Sequence, residues 1–120
     1  MNKSPITYDL EERTAKFGEK IILLSRSLQE NTISKPLILQ LVRSATSIGA
    51  NYMEANGASS RKDFKNKIFI CKKEAQETKH WLRMLASCFP DKKPELTIHW
   101  RECQELTLIF QKIGNSLSKN

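Results

Sequence analysis

The sequence predicts an all-α fold, an antiparallel up-down-up-down four-helix bundle. Apolar residues recur at alternating steps of three and four in four separate stretches, which is the spacing of one face of an amphipathic helix. No stretch alternates with a period of two, so no strand is expected. The links between the four stretches are short, which favours antiparallel neighbours within a single domain over residues 1–120. The alternative, four helices in an open array, would need longer connections.

Composition restricts the classes of protein to which the chain can belong. Of the 120 residues, 39% are hydrophobic and 28% are charged, which fits a soluble globular domain with one core. No apolar run approaches the roughly 20 residues of a membrane span, and the first residues contain no apolar signal segment. The three cysteines are an odd number and lie in helical stretches. We therefore expect a cytoplasmic protein with reduced thiols and no membrane partner.

The first helix is expected over residues 5–30, and Pro5 suits its first turn. Its apolar positions step by four and three, as in a coiled-coil seam. They are Leu10, Thr14, Phe17, Ile21, Leu24 and Leu28. Residues 31–35 form a short polar connection to the next helix.

The second helix is expected over residues 36–57, with Ser34 as its N-cap and Gly57 just after its end. Its core face carries Leu41, Ala45, Ile48 and Tyr52, and its opposite face carries Arg43, Ser47, Asn51 and Glu54. Small residues lie between these polar positions and would let another backbone approach. We interpret this back face as a second contact surface, and the alternative is an ordinary polar surface.

The third helix is expected over residues 61–89, where Ser60 and Asp63 resemble a capping pair. Its core stripe is Phe64, Ile68, Cys71, Ala75, Thr78, Leu82, Leu85 and Phe89. A second stripe beside it holds Ile70, Glu74, Glu77, Trp81, Met84 and Cys88. A helix in a monomeric four-helix bundle needs only one apolar face. The second stripe, with Trp81 and Met84, therefore predicts an oligomer interface.

The fourth helix is expected over residues 94–118, beginning at Pro94. Its apolar seam is Leu96, His99, Cys103, Leu106, Phe110, Ile113 and Leu117. His99 and Cys103 are four residues apart, a spacing that two metal ligands can have. No CxxC, HExxH or Gly-rich phosphate loop accompanies them. Core packing is therefore the favoured interpretation, and no metal or cofactor is expected.

Positive charge is concentrated in the third helix. The formal charge of the chain is +7, and residues 61–89 supply eight Lys or Arg against three acids. An excess of this kind suggests an anionic partner, most often nucleic acid. Lys65, Lys72 and Lys79 are seven apart and stack along the axis, where they can follow a phosphate backbone, and Phe69 can stack on a base. The candidate nucleic-acid-binding residues are Arg61, Lys62, Lys65, Phe69, Lys72, Lys73, Lys79 and Arg83. The alternative is a solvated helix face.

Glu74 and Glu77 interrupt the apolar second stripe of the third helix, so they need partners if they are buried. Arg43 is the natural candidate, because its guanidinium can hold a carboxylate with two hydrogen bonds. Glu54 could join the same network between the second and third helices. Catalysis by paired carboxylates is not favoured, since no nucleophile or metal set accompanies them.

The second and third helices resemble a family of four-helix-bundle proteins that are encoded in intervening sequences of bacterial 23S rRNA genes. The central motif is Arg43-Ser-Ala-Thr-Ser47-Ile48-Gly-Ala-Asn51, followed by Glu54-Ala55. Asp63-Phe64, Lys73-Glu74-Ala75-Gln-Glu77-Thr78 and Trp81-Leu82 match the same family's third helix. The resemblance runs from about Tyr8 to Leu117. The chain departs from it at Tyr52-Met53, where the family more often has small or aliphatic residues.

The resemblance implies an up-down bundle that assembles as a homo-oligomer, with a ring of five favoured, and no known enzymatic activity. Remote relatives are accessory proteins of diversity-generating retroelements, which bind nucleic acid and a reverse transcriptase, and no site is carried over from them. The family signature falls on Arg43, Ser47, Asn51, Glu54, Glu74 and Glu77, and with Trp81 these are interpreted as structural or interface positions.

The sequence thus favours a non-enzymatic cytoplasmic homo-oligomer that binds RNA or DNA through the basic face of the third helix. This hypothesis predicts that Lys65, Lys72 and Lys79 are exposed on one side. The rival is an oligomeric protein-interaction scaffold whose positive charge only aids solubility. An enzyme comes third, and it would need a deep pocket that gathers His99, Cys103 and a carboxylate.

Overall fold

The computed structural model describes residues 5–118, and the side chains of residues 10–118. Four helices follow one another: α1 (Pro5–Arg26), α2 (Ser34–Asn56), α3 (Arg61–Cys88) and α4 (Lys93–Ser118). A single 3-10 turn, Pro90–Lys92, separates α3 from α4, and no strand occurs within residues 5–118. The predicted all-α class is therefore confirmed.

Contacts between the helices show that neighbours run antiparallel. Asn56, at the end of α2, bonds Glu11 near the start of α1. Arg61, at the start of α3, donates to the Leu117 carbonyl at the end of α4. α2 packs mainly against α1 and α3, and α3 packs against α2 and α4, while the α1–α4 contact is the smallest. The result is an up-down-up-down bundle with extents of 47 × 26 × 21 Å.

The core is formed by the four seams that the sequence predicted. All six seam positions of the first helix are buried, as are the four of the second. In α3 and α4 the seams are buried through their middles and half-buried at Phe64, Phe89, His99, Ile113 and Leu117. Burying apolar side chains along these seams supplies most of the drive for folding.

The start of α2 differs from the prediction. Ser34 does not cap the helix but is its buried first residue, and Asn31 supplies the cap. The Asn31 side-chain oxygen accepts the N–H groups of Ile33 and Ser34 at 2.9 and 2.8 Å. The Ser34 hydroxyl in turn accepts the Asn31 N–H at 3.0 Å and donates to the Gln29 carbonyl. The two residues, which are three apart, form a reciprocal capping box that ends two residues before Pro36.

The end of α1 also differs from its predicted position, by a few residues. α1 ends at Arg26 rather than at residue 30, because the N–H groups of Ser27 and Leu28 turn back to the carbonyls of Leu24 and Ser25. Leu28 stays buried although it lies outside the helix. The Ser60 cap of α3 is confirmed, since its hydroxyl accepts the Asp63 N–H at 3.0 Å.

Candidate nucleic-acid interface

The eight candidate nucleic-acid-binding residues lie along one side of α3 with different exposures. Arg61, Lys62, Lys73 and Arg83 are exposed. Phe69 is 63% exposed, which is unusual for an aromatic side chain in the middle of a helix. Lys65, Lys72 and Lys79 are half-buried rather than exposed, which corrects the expectation for these three lysines. The reason is that α4 lies alongside them.

Lys79 is held against α4. Its ammonium donates a hydrogen bond to the Gln104 side-chain oxygen and lies 5.4 Å from the centre of the Trp100 ring. A cation over an aromatic face is attracted by the ring quadrupole. Lys79 therefore contributes to helix packing, and its charge is less available to a ligand than the charges of Lys65 and Lys72.

A small groove opens between the first half of α3 and the last half of α4. Its volume is about 100 Å³, and the α3 side supplies Lys65, Ile68, Phe69 and Lys72. The α4 side supplies Phe110, Gln111, Gly114, Asn115 and Ser118. The Lys72 ammonium lies 5.8 Å from the centre of the Phe69 ring. The groove thus combines cations, an exposed aromatic ring and side-chain amides.

No acid interrupts the two walls of this α3–α4 groove. Residues 64–73 and 106–118 contain lysines but neither Asp nor Glu. Within residues 10–118, no carboxylate forms an ion pair with Lys65 or Lys72. Cations that lack a carboxylate partner keep an unneutralised field at the surface, and such a field attracts anions.

Glu74 and Glu77 of α3 face α2 instead. The Arg43 guanidinium pairs with Glu74 at 3.3 Å and also with Glu77, as the sequence predicted. Glu77 further accepts the indole N–H of Trp81 at 3.2 Å. On the same side, Lys67 pairs with Glu54 at 2.7 Å. This separation of charge across α3 leaves its α4 side basic.

The remaining signature positions lie on or beside this α2–α3 face. The Asn51 side chain donates to the Ser47 carbonyl at 2.8 Å, within α2 itself. Ser47, Asn51, Trp81 and Met84 are all half-buried. Their contacts within the chain are structural, and a role between subunits stays a prediction.

An ion-pair cluster that sequence reasoning missed joins α1 to α4. Arg13 binds Glu102 through two hydrogen bonds, of 2.7 and 2.8 Å, and Glu105 through a third of 2.8 Å. Hydrogen bonding to Glu102, and then to Glu105, raises the pKa of Arg13 above its already high ordinary value. The partners are 89 and 92 residues apart in sequence, so no local pattern points to them.

His99 and Cys103 do not form a reactive centre with a carboxylate. The Cys103 thiol is buried and donates to the Ala75 carbonyl, with the sulfur at 3.1 Å. Burial raises the pKa of both Cys71 and Cys103 to about 12, so these thiols stay protonated and unreactive at neutral pH. Burial lowers the pKa of His99. Across the described part of the chain, no three His, Cys, Asp or Glu side chains are placed to hold a metal ion.

A larger groove lies on the other side of the bundle, between α1 and α2. It encloses about 580 Å³, and small residues line it, among them Ala15, Gly18, Gly49 and Ala50. Ile22 and Met53 stand at its rim, 42% and 65% exposed. Glu11, Glu12 and Glu19 also border it, so the rim is acidic. The small residues that the sequence shows in α2 were the only signal for this α1–α2 groove.

Comparison with known proteins places the chain in the same family by sequence and by structure. The family model described as 23S rRNA-intervening sequence protein matches residues 8–115. The chain is also similar to the crystal structure of a protein of unknown function from the S23 ribosomal protein family of Bacteroides thetaiotaomicron. The two are 30% identical with a TM-score of 0.78, over 88% of this chain and 97% of that one. No curated protein matches the chain. Within residues 5–118, none of the helices has the length and apolar character needed to span a membrane.

Proposed function

The chain belongs to the 23S rRNA-intervening sequence protein family, and we propose that it is a non-enzymatic homo-oligomeric bundle that binds RNA or DNA through the basic face of α3. The observation that carries this proposal is the α3–α4 groove, where Lys65 and Lys72 flank an exposed Phe69 and no acid opposes them. Rows of cations contact phosphates, and exposed aromatic rings stack on bases. Binding is electrostatic, with little reading of sequence.

Further charge on the same side of α3 supports the proposal. Arg61, Lys62 and Lys73 are exposed and extend the basic surface around the groove. The Arg43 ion pairs hold Glu74 and Glu77 on the opposite side. An anionic polymer that reaches the α3–α4 groove therefore meets cations, and the segments that line the groove, residues 64–73 and 106–118, contain no carboxylate.

The test is RNA and DNA binding across a salt series, with the wild type beside a Lys65/Lys72/Lys73→Glu variant. Lys79 is left intact because its contacts with Gln104 and Trp100 are part of helix packing. Binding of the wild type should weaken as a power of the salt concentration. The variant should lose most of the affinity, and its slope should fall by roughly one for each phosphate contact removed.

The matched control makes the same charge change elsewhere on the surface. Lys16, Lys20 and Lys35 are exposed on α1 and α2, and their substitution by Glu lowers the net charge equally. The control variant should keep most of the wild-type affinity. Equal losses in both variants would mean that only net charge matters. Absence of binding by the wild type at low salt would overturn the proposal.

The α1–α2 groove supports the proposed homo-oligomer and also the rival function, an oligomeric protein-interaction scaffold. Its lining is mostly apolar and its rim bears Met53, Ile22 and three acids. An apolar groove with a polar rim is a common form of protein contact site. As a scaffold, the protein should be insensitive to the Lys65/Lys72/Lys73→Glu change and sensitive to Met53→Lys. The free thiols of Cys71, Cys88 and Cys103 support action in the cytoplasm.

A further inference from the structure

We propose that the α3–α4 groove seats one base of a single-stranded nucleic acid, so that the partner of this protein is a single strand and not a duplex. The inference rests on the proposed function and specifies the form of the nucleic acid. The placement of Phe69, the amides across the groove from it and the size of the groove support it.

Phe69 stands between two cations on the groove side of α3. Lys65 and Lys72 are seven residues apart, which places them about 10.5 Å apart along the helix axis, and Phe69 lies between them. Lys72 approaches the ring to 5.8 Å, yet 63% of the side chain remains exposed. A strand that runs along α3 can bring phosphates to the two lysines while one base turns onto the ring. Base–aromatic stacking suits this position because every base has a flat face.

Two amides stand across the groove on α4 and present unused hydrogen-bonding groups. The Gln111 amide donates to the Asn115 side-chain oxygen at 3.0 Å. Among residues 10–118, the Gln111 side-chain oxygen and the Asn115 amide nitrogen have no protein partner, so the oxygen can accept and the nitrogen can donate hydrogen bonds to a ligand. The pairing edge of a nucleobase also carries donors and acceptors side by side, and it is available only when the base is unpaired.

The dimensions of the groove admit a single flat ring. Its volume is about 100 Å³, which is small and suits one base better than a stacked pair. Gly114 leaves it open, because a Cβ placed there would have no neighbour within 4 Å. The bases of a duplex are stacked and paired, and extruding one costs free energy. A duplex could reach the lysines, but it would leave Phe69 and the amides unused.

The experiment compares labelled single strands of oligo(dT) and oligo(rU), about twelve nucleotides long, with blunt duplexes of the same length. Phe69→Ala should weaken single-strand binding roughly 5- to 150-fold without changing the salt slope, because stacking involves no counterion release. It should leave duplex binding unchanged. Leu39→Ala is the matched control, since this apolar side chain on α2 is 62% exposed and lies away from the groove. It should change neither affinity.

A second variant blocks the groove without removing the aromatic ring. Gly114→Leu places a side chain in open space, so the fold should be retained and thermal stability should not fall. Single-strand affinity should drop by a factor similar to that of Phe69→Ala. Tight duplex binding, or single-strand binding that neither variant affects, would overturn the inference while the proposed function stands. A wild type that binds neither form would overturn both.

Discussion

Arg43 links α2 to α3 through two ion pairs. Glu74 is only 9% exposed, and Arg43 is the cation paired with it in the described part of the chain. Glu77 shares the same guanidinium and also accepts the Trp81 indole N–H. A carboxylate at this depth is costly unless a cation or hydrogen bond compensates for its lost hydration.

Replacing Arg43 by Met should lower the free energy of unfolding by about 1–3 kcal/mol, because the buried Glu74 then loses the cation paired with it. Urea unfolding measures the loss. The double variant Arg43→Met/Glu74→Gln should lose less than the two single changes combined, since neither variant group carries a charge. If the single and double effects are simply additive, Arg43 and Glu74 are not coupled and this account is wrong.

His99 makes stability depend on pH. Its ring lies half-buried in α4, and burial lowers its pKa, with Glu95 opposing and Lys20 reinforcing the shift. The unfolded chain therefore binds a proton to this histidine at a higher pH than the folded chain does. Keeping His99 neutral therefore contributes to stability above the ordinary histidine pKa of about 6.5. This contribution is lost as the pH falls from that value toward the lower pKa of the folded state.

The wild type should accordingly become less stable between roughly pH 7 and pH 5, and the change should be smaller in His99→Gln, which cannot gain the proton. Chemical unfolding at several pH values in this window measures both slopes. Below about pH 5 carboxylates titrate as well, so the comparison is confined to the window. Identical slopes for the two proteins would show that His99 does not carry the dependence.

At the scale of the helix, periodicity predicted the interior well and the ends less well. A seam such as Leu10 to Leu28 reports burial directly, because each position repeats the same angle around the axis. A helix start instead depends on one or two hydrogen bonds. Asn31 and Ser34 are both capping types three residues apart, and sequence alone does not say which of them occupies the N-cap position. The structure uses both, with Asn31 in the leading position.

Asn31→Ala should therefore destabilise the protein by about 0.5–2 kcal/mol, as the loss of an N-cap does. The N–H groups of Ile33 and Ser34 lose their acceptor, and Ser34 is buried. Thr32→Ala is the control, because Thr32 is exposed in the same turn and should tolerate the change. Thermal unfolding of the two variants measures the difference. Equal stability would argue that the loop, and not the Asn31 cap, holds the start of α2.

The candidate site was predictable only in part for a related reason. The helical pattern placed Lys65, Phe69, Lys72 and Lys79 on one side of α3, and the structure agrees. It could not show how closely α4 approaches that side, since Trp100 and Gln104, which engage Lys79, belong to a separate amphipathic pattern. The position of the Gln111–Asn115 amide pair across the groove from Phe69 likewise depends on how α3 and α4 pack, which the sequence does not show. Helical angles follow from sequence, whereas distances between helices depend on packing.

At the scale of the molecule, the bundle has two unlike sides. The α1–α2 groove is apolar with an acidic rim, and the α3–α4 groove is basic. Because α2 packs on α3 and α1 on α4, these two sides are opposite each other. Gly18 and Gly49 lie where α1 and α2 meet, and a Cβ on either would make an ordinary van der Waals contact, at 3.5–3.7 Å, with the facing helix. The α1–α2 groove above them is the surface that the proposed homo-oligomer would use.

We expect light scattering to give a mass that is a multiple of the 13.8 kDa chain. Met53→Lys should shift the mass toward the monomer, because it places an ammonium at the rim of the α1–α2 groove, where apolar contact would be lost. Ile98→Lys is the matched control: Ile98 is 64% exposed on α4, outside that groove, and its change should leave the mass unaltered. If Ile98→Lys dissociates the assembly and Met53→Lys does not, the contact lies on α4. A wild-type mass of one chain at every concentration would overturn the proposed homo-oligomer, and nucleic-acid binding would then have to be a property of the single bundle.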